Sequence, residues 1–118
     1  MATAHKAYAR QWRRHRDLTR ERLSPKAVLR LLRGVCRVLG RKPPKVVFEE
    51  HRGWHYWDGE ALHFDQSDLT PYIVAHELAH CLDESLGYTY HHHTRRHDLL
   101  TDLVAGLVRL LTKKKTMR

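Results

Sequence analysis

Two histidines four residues apart suggest a metal site in the middle of this chain. The stretch reads His76-Glu77-x-x-His80. Positions i and i+4 lie on one face of a helix, so both imidazoles can reach a single metal ion. Zinc is the usual occupant of such a pair, because neutral imidazole is a good ligand for it. The sequence therefore predicts a Zn2+ site with His76 and His80 as two of its ligands.

Glu77 is the candidate catalytic residue of this site. It follows the first histidine directly and is expected to point toward the same open side of the metal. A carboxylate in that place can take a proton from a metal-bound water and act as a general base. A catalytic zinc also needs a third protein ligand and one open position for water.

The third ligand is expected to come from residues 91–102, and the sequence offers several candidates there. Four are histidines and two are aspartates: His91, His92, His93, His97, Asp98 and Asp102. Asp83 lies seven residues after His76 and shares its helical face, so we expect it to orient a ligand or to lie at the surface.

The helices that must position these residues can be read from caps and apolar spacing. Residues 4–22 are predicted to form a basic helix with a thin stripe of Tyr8, Trp12, His15 and Thr19. A second helix is predicted between Ser24-Pro25 and Gly40, because a cap residue followed by proline starts a helix and glycine ends one. Its apolar face predicts a core helix without chemistry.

The same cap-then-proline signal at Thr70-Pro71 predicts that the metal-binding helix runs to about Leu86. The last helix is predicted over residues 95–111. Its apolar side is expected to consist of Leu99, Leu100, Leu103, Val104, Leu107, Val108 and Leu111.

Between the second and third helices the pattern changes to short strands. Residues 46–48, 54–57 and 61–64 are rich in β-branched and aromatic side chains. Arg52-Gly53 and Asp58-Gly59 are turn dipeptides, so we predict a small antiparallel meander. Its third strand is expected to be the edge next to the metal helix. The predicted fold class is α+β: two N-terminal helices, a three-stranded antiparallel sheet, the metal-binding helix and a C-terminal helix.

Length and composition predict one domain over residues 1–118, with a basic N-terminal helix at 1–23 and a basic tail at 112–118. The formal net charge is +9, concentrated toward the ends. Such ends could meet nucleic acid or another polyanion, although charge runs are usually solvent-facing. The sequence contains no run of about 18 apolar residues, so we predict no membrane span. The polar N-terminus does not resemble a secretory signal. The two cysteines are expected to be reduced, which favours a cytoplasmic protein.

In the order of its elements and motifs, the chain resembles the SprT-like zinc metallopeptidases and their minimal zincin relatives. The resemblance rests on His76-Glu77-x-x-His80 after a small sheet, followed by a histidine that precedes a final helix, and it covers roughly residues 24–111. In that family the third ligand belongs to a His-Gly-x-x-aromatic string, to which His93 corresponds best here. His97 stands where the family has the aromatic residue, and the glycine is replaced by Thr94.

The resemblance implies a zincin-like fold with His76, His80 and His93 as ligands and Glu77 as the base. The expected function is zinc-dependent hydrolysis of peptide bonds in a protein or peptide substrate by a monomer, near nucleic acid in some relatives. His63 and Tyr72 are candidates for stabilising the oxyanion. An alternative from another class is a non-catalytic or regulatory zincin-like domain that binds a protein or DNA partner, with Asp98 or Asp102 completing the metal site.

Overall fold

The computed structural model of the chain describes residues 9–50, 54–83 and 95–116, with the backbone alone for residues 95–96 and 114–116. These residues form a small α+β fold, as predicted. In chain order the elements are α1 (residues 9–14), a 3-10 helix (Arg16–Thr19), α2 (Pro25–Leu39), β1 (Lys45–Glu49), β2 (Tyr56–Trp57), β3 (Ala61–Asp65), α3 (Pro71–Leu82) and α4 (Arg95–Thr116).

The ends of α2 follow the predicted cap signals. The Ser24 hydroxyl accepts a hydrogen bond from the Ala27 N–H at 3.1 Å, and Pro25 occupies the first turn. Gly40 adopts a left-handed conformation with φ 69°, which a residue without a Cβ adopts at little cost, and it closes the helix. The helix contributes buried Val28, Leu31, Leu32, Val35 and Cys36 to the core.

The sheet is mixed, so the prediction of an antiparallel meander was wrong. The strand order is β1-β3-β2, with β1 parallel to β3 and β2 antiparallel to β3. Asp58-Gly59 joins β2 to β3 as a hairpin, as predicted. The error lies in the connection from β1 to β2. Its six residues, 50–55, can extend about 20 Å, which is enough to cross the roughly 10 Å from one side of β3 to the other.

It follows that β3 is the central strand and not the predicted edge. Its apolar side chains Leu62 and Phe64 are fully buried beneath the helices. β2 is limited to Tyr56 and Trp57, so the predicted strand over 54–57 is two residues shorter than expected.

The predicted helix over residues 4–22 is interrupted at His15. There the backbone leaves the helical region (φ −110°, ψ 32°), and the 3-10 helix follows. The buried side chains of this segment are Gln11, His15 and Leu18, while Trp12 of the predicted stripe is 38% exposed. Tertiary contacts of His15 therefore override local helix propensity at this point. Tyr8 lies outside the described residues.

The helix α4 is longer than predicted and buries part of the predicted apolar side: Val104 and Val108 are buried, and Leu107 and Leu111 pack against the core. Its buried side chains are His97, Thr101, Val104, Ala105 and Val108, whereas Leu99, Leu103 and Leu110 are more than half exposed. The predicted apolar side was too wide for one helix face. The helices α2 and α4 approach closely where Gly34 faces Leu111, since a Cβ at Gly34 would lie 3.0 Å from the leucine Cδ1. Within the described residues, no helix has the length and apolar character needed to cross a membrane.

Candidate metal centre

The helix α3 lies at the centre of the fold and contacts α2, α4, the 3-10 helix, β2 and β3. Its start follows the prediction: the Thr70 hydroxyl accepts from the Ile73 N–H at 3.3 Å and Pro71 begins the first turn. Its end comes earlier than the predicted Leu86, because Asp83 leaves the helical region with its side chain buried. Val74, Ala75 and Leu78 anchor the helix in the core.

His76 and His80 of α3 meet His97 of α4, and we call these three residues the histidine cluster. One ring nitrogen from each lies within 4.8 Å of those of the other two. The ring centroid of His76 is 4.9 Å from that of His80 and 5.2 Å from that of His97. The His80 and His97 rings are stacked with centroids 4.0 Å apart. His76 and His97 are buried and His80 is half-buried, so three imidazoles converge at one place inside the protein.

The third histidine of this cluster is His97, one of the alternatives to His93 in the sequence analysis. His91, His92 and His93 lie outside the described residues, so the prediction that His93 is a ligand stays a prediction. A sequence signal for His97 did exist. It occupies the same helical stripe as Thr101, Val104 and Val108, the face that packs inward.

The two aspartates considered as third ligands are engaged by the N-terminal segment. Asp98 accepts a hydrogen bond from the Gln11 amide. Asp102 accepts from Arg14 at 2.7 Å and pairs with the His15 Nε2 at 2.8 Å. Among the described residues, the group of potential ligands with converging atoms consists of the three histidines alone.

Glu77 lies beside the histidine cluster with its carboxyl group almost completely buried. Its side-chain Oε2 is 3.9 Å from the His76 Nε2. Burial raises the pKa of Glu77 to about 8, because removal from water disfavours the charged form. A cation placed close to this carboxyl group would favour ionisation. A carboxyl group with a raised pKa that lies beside three imidazoles is suited to proton transfer.

Gln11 is a site residue that the sequence reasoning did not identify. Its side-chain Oε1 lies 3.2 Å from the Nδ1 of His76 and 3.4 Å from the Tyr72 hydroxyl. Its carboxamide nitrogen donates to Asp98. Gln11 is 2% exposed and Tyr72 is 1% exposed, so these contacts are shielded from water. Because Gln11 precedes His76 by 65 positions, no local pattern connects the two.

Further contacts attach the N-terminal segment to α4. The imidazole of His15 lies between Asp102 and Arg109, whose Nη2 donates to the His15 Nδ1 at 2.7 Å. Arg109 also pairs with Asp17 at 2.7 Å. This pairing lowers the pKa of the Asp17 carboxyl group, chiefly through the hydrogen bond from Arg109. Together with the Arg14–Asp102 pair, these contacts dock the N-terminal segment on α4 through charges from both sides.

The donor set of the histidine cluster fits a transition metal. Around a tetrahedral zinc with Zn–N bonds of about 2.0–2.1 Å, two ligand nitrogens are about 3.4 Å apart. The three imidazole nitrogens are within 4.8 Å of one another, so small side-chain rotations close the difference. Imidazole suits zinc, copper, iron and nickel, whereas magnesium and calcium prefer oxygen ligands. The three histidines could thus hold a metal ion.

The two predicted oxyanion candidates have other partners. The Tyr72 hydroxyl donates to Gln11 within the buried network. His63 lies on the face of β3 opposite to Leu62 and Phe64, since successive strand residues alternate. Its Nδ1 is 2.7 Å from a carboxylate oxygen of Glu49, and its Nε2 is 2.6 Å from one of Asp58.

The ring of Tyr56 stacks on that of His63 with centroids 4.4 Å apart. We call Glu49, Tyr56, Asp58 and His63 the sheet cluster. Hydrogen bonds from the backbone of Ala61 and Glu60 and from His63 lower the pKa of Asp58 to about 2. Burial opposes the charge on His63, but hydrogen bonds to Asp58 and Glu49 prevail and raise its pKa.

Comparisons with known proteins give no relative for this chain: no family model, no curated protein and no solved structure matches it. A function for this protein can therefore be inferred only from its residues and their geometry.

Proposed function

We propose that this protein is a zinc-dependent metallopeptidase in which His76, His80 and His97 hold the metal and Glu77 is the general base. The observation that carries the proposal is the convergence of three imidazoles beside one buried carboxyl group. Three histidines leave one position of a tetrahedral zinc open, as a catalytic site requires. The proposal includes a zincin-like arrangement, supported by a metal helix that follows the sheet and a ligand on the next helix.

In the proposed mechanism, the three histidines and Glu77 have different roles. Zinc held by His76, His80 and His97 would supply a Lewis acid able to polarise a carbonyl group and to lower the pKa of water to about 7. Glu77 accepts the proton of the attacking water and delivers it to the nitrogen of the leaving amine. Glu77 is buried, so its carboxyl group is shielded from bulk water, and a cation beside it would lower its pKa from about 8 toward that of the proton donor.

Cys36 and Cys81 are not joined in a disulfide, which supports a cytoplasmic setting as part of the same proposal.

The substitution Glu77→Gln tests the proposed base. The variant should bind zinc with the same stoichiometry and lose at least about 100-fold in hydrolysis of a quenched fluorescent peptide library, the lower range for a general base. Glu60→Gln, at an exposed position, is the matched control and should keep full activity. A Glu77→Gln variant as active as the wild type would reject Glu77 as the base. Absence of zinc from the purified protein after incubation with the metal would reject the whole proposal.

A second candidate function is a zincin-like domain without catalysis that binds nucleic acid. The observation that favours it is the exposed face of α2. Lys26, Arg30, Arg33 and Arg37 are all exposed, and their spacing places them in one row along the helix. The helix contains no acidic residue. Such a row of cations can follow the phosphates of a nucleic-acid backbone.

Binding to a labelled DNA duplex over a range of salt concentrations tests this second candidate. Replacing Arg30, Arg33 and Arg37 with glutamine should weaken binding and reduce the salt slope by about 1 for each lost phosphate contact. The control replaces the lysines at 113–115, which belong to the basic tail predicted as the alternative contact. A larger effect of the tail than of α2 would place the contact at the chain end. If the protein does not bind DNA at low salt, the second candidate is rejected and the peptidase proposal remains.

A further inference from the structure

A chain of polar contacts connects α4, the N-terminal segment and the first histidine of the metal helix. The carboxylate of Asp98 accepts from the amide nitrogen of Gln11. The amide oxygen of Gln11 faces the Nδ1 of His76 at 3.2 Å. The Tyr72 hydroxyl donates to the same oxygen at 3.4 Å. Three elements thus meet at a single carboxamide that is 2% exposed.

The chemistry of these partners sets the direction of every hydrogen bond in the chain. A carboxylate only accepts, so the NH2 group of Gln11 must face Asp98. The oxygen of Gln11 then faces His76, and an amide oxygen also only accepts. His76 must therefore carry a proton on Nδ1. In the neutral imidazole this leaves the lone pair on Nε2, the nitrogen that lies 3.9 Å from Glu77.

We propose that Gln11 is a positioning residue of the metal site, which fixes His76 in the tautomer with a proton on Nδ1 and a lone pair on Nε2. The inference rests on the proposed function, because it needs His76 to be a metal ligand. Zinc binds the lone pair of neutral imidazole, so the wrong tautomer must change before Nε2 can coordinate.

The surroundings of Gln11 make this contact strong and give it a structural consequence. Burial excludes water that would otherwise compete for the Nδ1 proton of His76. The Tyr72 ring, with its centroid 5.8 Å from that of His76, packs beside the same imidazole. The segment that carries Gln11 is itself held to α4 through Arg14 and His15. Docking of the N-terminal segment therefore places the Gln11 amide against His76.

Two measurements on wild type and Gln11→Leu test this role. Zinc and Co2+ affinities are determined by competition with a chelator, and the His76 tautomer is read by 15N NMR in the metal-free protein. Gln11→Leu should weaken metal binding about 10- to 100-fold, the usual effect of losing the partner of a metal-ligating histidine. It should also convert a single Nδ1–H signal of His76 into a mixture of tautomers. Unchanged affinity and an unchanged tautomer would overturn the inference.

Leu18→Ala is the matched control for loss of docking. Leu18 is buried in the same segment and belongs to the apolar core. This substitution should lower the melting temperature of the metal-free protein while the metal affinity changes less than about 3-fold, well under the range for a lost ligand partner. A loss of affinity equal to that of Gln11→Leu would show that segment docking alone matters and would overturn the role of the amide.

The double variant Gln11→Glu with Asp98→Asn provides a rescue. Gln11→Glu alone sets two carboxylates against each other, which should weaken docking and metal binding. Adding Asp98→Asn supplies an NH2 donor to the new carboxylate and keeps an acceptor facing His76. The double variant should recover wild-type affinity within about 3-fold, since the hydrogen bond that matters to His76 is restored. If metal affinity does not recover in the double variant, the proposed directions of the hydrogen bonds from Asp98 through position 11 to His76 are wrong. If the wild type binds neither metal, the proposed function fails, while the tautomer measurement still decides whether Gln11 orients His76.

Discussion

The histidine cluster and the sheet cluster use the same side chain in opposite electrostatic settings. In the histidine cluster, nitrogens of three imidazoles converge, and His76 is backed by the neutral amide oxygen of Gln11. In the sheet cluster, both nitrogens of His63 face carboxylate oxygens at 2.6–2.7 Å. Carboxylates only accept, so this setting favours the imidazolium form of His63, in which both nitrogens donate, and raises its pKa.

The difference teaches that the state of the lone pairs decides whether histidines can bind a metal. The sheet cluster holds a histidine and two acids, which by residue type alone could be a metal site. Its imidazole lies between the acids, and in the imidazolium form that they favour it has no lone pair to offer. In the histidine cluster the Glu77 carboxyl group lies farther away, with its Oε2 3.9 Å from the Nε2 of His76. A dication can therefore compete for nitrogen lone pairs more easily in the histidine cluster than in the sheet cluster.

The largest expected effect is the contrast between His97→Ala and His63→Ala in zinc affinity. Removing a direct ligand should cost more than the roughly 100-fold loss that follows removal of a ligand's partner. His63→Ala should leave the affinity unchanged, because both ring nitrogens of His63 are engaged with carboxylates and the residue lies outside the histidine cluster. Chelator competition followed by Co2+ absorption measures both. His93→Ala, tested beside them, decides between the two candidate third ligands. A greater loss with His93→Ala than with His97→Ala would favour the family-based prediction.

The second-largest expected effect is on the zinc-dependent free energy of unfolding, which should differ between variants of the two clusters. Zinc that binds only the folded protein raises the free energy of unfolding by about 2.7 kcal/mol when its free concentration is 100 times Kd. His76→Ala should abolish this gain, whereas His63→Ala should retain it. Urea unfolding with and without zinc, and after chelation, gives the difference. If His63→Ala removed the zinc-dependent increase in the free energy of unfolding, the proposed difference between the two clusters would be wrong.

The first half of the histidine cluster was predictable because its signals are local. The His76 and His80 spacing and the Thr70-Pro71 start both act within a few residues of each other. His97 was open to prediction only through its stripe with Val104 and Val108, and the triple histidine before it, read against the family pattern, pointed to His93. The second half of the site depends on how two helices pack, which spacing within one helix does not specify.

Non-local pairings explain the remaining errors. Gln11 reaches His76 through the docking of an entire segment, and a lone glutamine has no diagnostic neighbours. The predicted sheet order was wrong because turn dipeptides predict hairpins between strands that are consecutive in the sequence. In the structure β1 pairs directly with β3, and β2, which lies between them in the sequence, pairs with the other side of β3. The interruption at His15 similarly follows from Asp102 and Arg109, more than 85 positions away. Local propensity carries no information about such partners.

The smallest expected effect is the pH dependence of the sheet cluster, for which His55 offers a control of opposite sign. The pKa of His63 is raised in the folded state, so its contribution to stability is fully present below the unfolded value of 6.5 and is lost as pH rises through the folded value. Asp58, lowered from 3.8 to about 2, contributes above pH 3.8 and loses its contribution as pH falls toward 2. The stabilisation should therefore be greatest between pH 3.8 and 6.5.

His55 accepts the Asp65 N–H on its Nδ1 at 3.1 Å, and burial lowers its pKa. Protonation of His55 therefore disfavours the folded state as pH falls below 6.5. In urea unfolding, His63→Gln should cost about 1 kcal/mol at pH 5.5, the scale for a partly exposed charged pair, and less at pH 8. His55→Gln should show the reverse trend, with its cost largest at pH 8. Parallel pH trends for the two variants would mean that the two carboxylates do not hold His63 as an imidazolium ion, and the contrast with the histidine cluster would be lost.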